Sequence, residues 1–166
     1  MKTKKINELF VVTKGNELNM SKMTPLPRAK GGVNFIGRSD RNHSISGTVA
    51  VLPDVEPYPS GLITVALGGT PLKSIVQGSP FYTSKNVAVL LPIEKMTFAE
   101  NVYVCLCIWH NRFRYSAFGR EANRTLGDLL IPSKDEFPAW VNDPSTKAGV
   151  QAAIESDIRS LFFAVD

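Results

Sequence analysis

Gly61-Leu-Ile-Thr-Val-Ala-Leu67 runs directly into Gly68-Gly69. An almost continuous apolar run of this kind, stopped by two glycines, fits a central strand buried on both faces and followed by a turn with positive φ. Such a strand needs neighbours, and shorter runs supply them: Val33-Asn-Phe-Ile-Gly37, Gly47-Thr-Val-Ala-Val-Leu52, Ile75-Val76 and Val87-Ala-Val-Leu-Leu91. Leu9-Phe-Val-Val12 reads as a further short strand or a helix end, and Lys14-Gly15-Asn16 as the turn that follows it. Twelve Gly and eleven Pro, spread along 166 residues, break the chain too often for a coiled coil or a bundle of long helices. Collagen-like and disordered classes do not fit a chain that is 43% hydrophobic.

Helical signals are fewer. Thr97-Phe-Ala-Glu100 is a capping box, in which the Thr and Glu side chains each satisfy an orphan backbone N–H. Val102, Cys105, Leu106 and Trp109 then repeat at helical spacing, so a helix over about 98–112 is expected to bury that stripe. Asp143-Pro144 is a candidate start for a second helix, with Val150, Ile154, Ile158 and Leu161 or Phe162 on one face. No repeat or low-complexity linker is visible. The expected architecture is α+β, a twisted, partly barrel-like mixed sheet with supporting helices. Residues 1–134 form the expected domain, and 135–166 an acidic segment whose amphipathic helix packs on that domain or on a partner.

The chain has no apolar window of about 18 residues and no apolar signal core behind Met1-Lys-Thr-Lys-Lys5, so it reads as soluble and cytoplasmic, without a membrane partner. Cys105 and Cys107 are too close for an ordinary disulfide. With His110 they make a Cys-x-Cys-x-x-His pattern, but it lacks a fourth ligand, and buried, reduced thiols are the better reading.

Charge is divided unevenly. Residues 1–124 hold 16 Lys/Arg against 8 Asp/Glu, whereas 125–166 hold 3 against 7. The cations gather as Arg28, Lys30, Arg38 and Arg41, and again as Arg112, Arg114, Arg120 and Arg124, each group spanning one acid. Such grouping favours a polyanionic partner. Arg38-Ser-Asp-Arg-Asn-His-Ser44 should be an exposed loop, and its Arg and Asn side chains are of the type that bridge guanine or adenine edges. A plain hydrophilic hairpin loop is the competing reading. In Asn111-Arg-Phe-Arg-Tyr-Ser-Ala-Phe-Gly-Arg120, guanidinium groups could hold phosphates, while Phe113, Tyr115 and Phe118 are more readily read as core.

Catalytic signatures are missing. No phosphate-binding glycine loop, His-Glu-x-x-His or dinucleotide fingerprint occurs, and His43 and His110 are the two histidines. Asp54-Val-Glu56 could suggest a nuclease metal pair, but Pro53 and Pro57 flank it and no Lys is near, which fits a turn better. A non-catalytic protein without a cofactor is expected.

The order of motifs carries more than any one of them. Phe35-Ile-Gly-Arg38, Gly61 to Gly69, Pro80-Phe-Tyr-Thr-Ser-Lys-Asn-Val-Ala-Val-Leu90, Asn111-Arg-Phe-Arg-Tyr-Ser116, Gly119-Arg120 and Leu126 to Pro132 occur in succession. Over about residues 6–134 the chain resembles the target recognition domain of restriction-modification specificity subunits, of type I-like and related type II forms. The resemblance implies a module that reads double-stranded DNA in the major groove and directs a partner methyltransferase or restriction enzyme subunit to its sequence. It places the variable reading loop at Arg38 to His43, including Arg41 and Asn42, and sets Gln77, Lys85, Arg114 and Arg120 in or beside matching motifs. Arg28, Lys30, Arg112, Tyr115 and Arg124 complete the expected DNA-binding set. Complete type I specificity subunits resemble two such domains joined by long helices, so a lone module could also form a homodimer with two half-sites. The alternative is a protein-interaction module that inhibits or regulates a restriction complex after losing DNA binding.

Overall fold

The computed structural model describes residues 1–115, 125–145 and 148. Nine strands run as β1 (Thr3–Lys5), β2 (Phe10–Thr13), β3 (Val33–Ile36), β4 (Ile45–Val49), β5 (Ile63–Ala66), β6 (Ser74–Val76), β7 (Phe81–Thr83), β8 (Val87–Pro92) and β9 (Leu130–Pro132) among the described residues. Among the described residues they are accompanied by the single-turn helix α1 (Ile6–Leu9) and the longer α2 (Phe98–His110), and helical residues also occur at 144, 145 and 148. The class is α+β, as expected. The strands form three sheets, ordered β2-β8-β5-β6, β4-β3-β7 and β1-β9, none closed into a barrel. Pairing is antiparallel except between β3 and β7, so the three-stranded sheet is mixed.

The expected central strand is β5, flanked by β8 and β6 and buried at all four positions. Burial on both faces explains the short continuous runs. Along β8, Ala88 and Leu90 join one core with Ile63, Val65, Val104 and Ile108, while Val87 and Val89 join another with Ile36 and Phe81. Alternate side chains thus enter different cores, as the two-residue repeat of a strand requires. In the mixed sheet, Phe35 and Tyr82 turn into a third core with Met23 and Val49. Each fully buried large side chain contributes about 1.5–3 kcal/mol, so these strands are held by side-chain burial on both faces.

The capping box of α2 is present: Thr97 Oγ1 accepts from the Glu100 N–H at 3.2 Å, and Glu100 Oε2 accepts from the Thr97 N–H at 2.7 Å. The buried face is not the expected one. Asn101, Val104, Cys105 and Ile108 point inward, whereas Leu106 is exposed and Val102 and Trp109 are half-buried. Both sets have helical spacing, and the inward one is disguised by Asn101, whose Nδ2 donates to the Gly61 carbonyl at 3.4 Å. Tyr103, also on α2, meets Phe137 and Trp140 edge-on, with ring centroids 4.9 and 5.7 Å apart.

Cys105 and Cys107 are both free thiols. Burial pushes the Cys105 thiol from 9.0 up to about 12 and raises that of Cys107. Asp143 takes the expected capping role, its Oδ1 accepting from the Ser145 N–H at 2.8 Å. The rest of the expected C-terminal stripe, from Val150 to Phe162, lies outside the described residues.

Candidate nucleic-acid interface

Strand polarity brings four connections to one end of the molecule. The C-terminal ends of β2, β3, β5 and β7 and the N-terminal ends of β4, β6 and β8 coincide there by register: Thr13 faces Val89, Ala66 faces Val87, Val65 faces Ser74, and Ile36 faces both Ile45 and Thr83. Residues 14–17, 37–44, 67–73 and 84–86 therefore form one rim.

Backbone contacts tie the rim together. The Ser84 N–H donates to the Ile36 carbonyl at 2.9 Å, the Leu67 N–H to Asn86 at 2.9 Å, and the Thr70 N–H to Arg38 at 3.4 Å. Asn16 and Thr83 exchange bonds of 2.7 and 3.1 Å. Gly15, at φ +69°, fits where any Cβ would collide with Thr83 Oγ1 and come within 2.8 Å of the Val87 carbonyl.

The loop between β3 and β4 has an unusual backbone. Asn42, His43 and Ser44 all take positive φ, at +47°, +51° and +63°. Each such residue costs about 1–2 kcal/mol when it is not glycine, so neighbouring bonds must hold it. Ser44 supplies most of them. Its Oγ donates to the Ser39 carbonyl at 2.7 Å, its N–H to Arg41 at 2.9 Å, and its carbonyl accepts from the Gly37 N–H at 2.7 Å. Ser39 Oγ accepts from the Arg41 N–H at 3.0 Å, and Asn42 Nδ2 donates to the Ile45 carbonyl at 3.1 Å. Ser44 is buried, which leaves Arg38, Ser39, Asp40, Arg41, Asn42 and His43 as a continuous exposed arc.

Lys14 and Lys85 stand exposed on neighbouring connections of the same rim, with Glu17 and Asp40 as its acids. The salt bridges among the described residues lie elsewhere: Lys2 with Asp135, Lys5 with Asp128, and Lys134 with Glu100. At the edge of the rim, α2 ends beside the segment that enters β6. The Lys73 ammonium lies 5.2 Å from the Trp109 ring centroid and the Arg112 guanidinium 4.8 Å from it. Arg112 Nη1 also donates to the Trp109 carbonyl at 3.3 Å.

The expected site residues are thus divided. Arg38, Arg41, Asn42, His43 and Lys85 share the rim, and Arg112 stands at its edge. Arg28 and Lys30 precede β3 and sit at the opposite end of that strand. Arg28 is also engaged there, its Nε and Nη2 both donating to Asn34 Oδ1 at 2.8 and 2.6 Å. Gln77 does not face outward: it is 2% exposed, and its Nε2 donates to Thr64 Oγ1 at 2.8 Å inside the sheet. Arg114 and Tyr115 close the short turn after α2, but their side chains lie outside what is described, as do Arg120 and Arg124. Phe113, expected in the core, is 64% exposed.

Sequence reasoning missed Lys14, Lys73 and Trp109 as members of this surface. Their signal was topological: each borders a turn whose partner turns become apparent once strand order is known. Among the described residues no group of three or more His, Cys, Asp or Glu could hold a metal, and Asp54 and Glu56 stand exposed on a turn at the far end. No helix among them is long and apolar enough to cross a membrane.

No protein-family model and no curated protein sequence matches the chain. Solved structures do. The S subunit of a type I restriction-modification system from M. genitalium superposes with a TM-score of 0.62 at 19% identity, over 85% of this chain and 37% of that one. The HsdS subunit from Thermoanaerobacter tengcongensis gives 0.61 at 11% identity, over 99% and 40%. A chain from a structure describing complex assembly and conformational transition of the type I R-M system gives 0.62 at 13%, over 96% and 43%. This chain has the fold of type I S subunits, as the motif order implied, and spans about two fifths of the length of those chains.

Proposed function

We propose that the chain is a non-catalytic module that recognises a sequence in double-stranded DNA and directs a partner restriction or modification subunit to it. The observation that carries the reading is the rim: Arg38, Arg41, Asn42, His43, Lys14 and Lys85 converge from three connections at one end of a fold shared with S subunits. The 38–43 arc presents Arg and Asn, whose side chains can bridge guanine and adenine edges in the major groove. Three consecutive left-handed residues preorganise it, and strain sustained in this way is a common attribute of ligand-contacting loops.

Residues 1–134 are the proposed reading module, with Arg114, Tyr115, Arg120 and Arg124 as proposed additional DNA contacts. The segment 135–166 is proposed to pack on the module or on the partner subunit; within it, Phe137 and Trp140 already meet Tyr103 of α2. The partner is proposed from the neighbours, whose descriptions place S subunits in type I systems.

The test is retention of duplex DNA by the purified chain across a salt series. Each phosphate contact releases condensed counterions and steepens log K against log salt by about 0.9, so several contacts give a strong dependence. Retention that is flat with salt, or absent at low salt, contradicts the reading.

A further inference from the structure

The exposed cations of the rim itself come from three connections, Lys14, Arg38 with Arg41, and Lys85, and two further cations at its edge converge on one aromatic ring. Lys73 leads into β6 and Arg112 follows α2, so the two reach Trp109 from different elements, at 5.2 and 4.8 Å from its ring centroid. The two charges are therefore no farther apart than the sum of those distances. Neither forms a salt bridge among the described residues. Each gains from the indole face, and the negative end of the α2 dipole favours both, yet like charges drawn together still repel one another.

We infer that Lys73, Trp109 and Arg112 form a phosphodiester clamp, a site that grips the DNA backbone beside the reading loop and does not read bases. The inference rests on the DNA-binding reading above and deepens it. Arg112 lies over the indole and its Nη1 donates to the Trp109 carbonyl, so its guanidinium is held against the end of α2 with one of its five N–H donors committed. Its remaining N–H donors suit a phosphate oxygen. Lys73 supplies a point charge with no fork at all. Consecutive phosphates of one strand advance about 3.4 Å along the duplex axis, so two cations that share one indole lie within the span of a few phosphates of one strand. The clamp would fix the register in which the 38–43 arc meets the bases.

The experiment compares wild type with Lys73→Gln/Arg112→Gln on a mixed-sequence duplex over a salt series, together with the sequences each retains from a randomised pool. The double variant is expected to lose about 1.8 from the magnitude of the log K against log salt slope, at about 0.9 per contact, while enriching the same sequences. Lys73→Arg should keep the wild-type slope. In a Trp140→Phe background, Trp109 is the remaining tryptophan, and its emission should change when the duplex is added. A double variant with an unchanged slope, or Trp109 emission that does not respond while duplex is retained, overturns the clamp and leaves DNA reading intact. Wild type that retains no duplex at low salt overturns both. If the double variant does not fold, the Trp109 emission decides.

Discussion

The backbone N–H of Thr70 donates to the carbonyl of Arg38 across 3.4 Å, joining the arc after β3 to the double-glycine turn after β5. At Gly69, where φ is +73°, an added Cβ would lie 3.1 Å from the Arg38 carbonyl oxygen and 3.2 Å from its Cβ. Gly69→Ala should therefore cost about 1–2 kcal/mol for its backbone conformation and displace the arc. Gly61→Ala is the matched control, because its φ is +90° and nothing lies within 4 Å of the added group. Both variants should melt below wild type, while weaker duplex binding is expected for Gly69→Ala. Equal binding by the two would show that the turn does not support the arc.

The two halves of the first basic group should separate by role. Arg28 satisfies Oδ1 of the buried Asn34 side chain, so Arg28→Ala is expected to destabilise by about 1–3 kcal/mol and leave the retained DNA sequences unchanged. Arg38→Ala with Arg41→Ala removes exposed side chains, so stability should hold within about 0.5 kcal/mol while affinity falls. Denaturant melts and pool selection measure both. The reverse pattern would place the DNA surface at the other end of β3.

Gln77→Leu should behave as a core variant. The substitution removes the 2.8 Å donor to Thr64 Oγ1, which keeps its own bond to the Ile75 carbonyl at 3.4 Å, so the loss of one buried hydrogen bond should cost about 1 kcal/mol and should not alter the retained sequences. A changed sequence preference without a stability loss would show that Gln77 reaches DNA.

Cys105 links the α2 core to alkaline pH. Burial raises its thiol from 9.0 to about 12 in the folded chain, so in that interval the unfolded state has lost a proton that the folded state keeps. The stabilisation is complete below about pH 9 and declines as pH rises towards 12, because the unfolded state binds fewer protons there. Cys105→Ala should reduce the alkaline fall in melting temperature relative to wild type. In the native protein Cys105 should also resist alkylation near neutral pH and react once denaturant is added. Rapid native labelling at Cys105 would contradict its burial.

Sequence pattern located the strands whose apolar runs are complete. β5 and its positive-φ stop at Gly69, β8, and the α2 capping box all follow from local rules that the packing does not override. β7 was harder to place, because Phe81-Tyr-Thr83 is three residues long and sends Phe81 and Tyr82 into different cores, which leaves no pattern to count. The phase of α2 differs from the one periodicity predicts because Asn101, buried against Gly61, occupies a position that periodicity assigns to an apolar side chain. For the site, the 38–43 arc was legible as a polar run between strands. Arg28 and Gln77 were not, since a side chain bonded to Asn34 or Thr64 looks in sequence like one that is open to a ligand. Nor could sequence pair Lys73 with Trp109, which meet through the packing of α2 on β6.

The proposed function turns on base reading by the 38–43 arc. The most direct measurement is to sequence the duplexes retained from a randomised pool by wild type and by Arg41→Ala/Asn42→Ala under the same salt. One enriched motif is expected for wild type, with preference lost at one or more of its positions in the variant. Retention of the same motif by both proteins, or no enrichment by wild type, would contradict it.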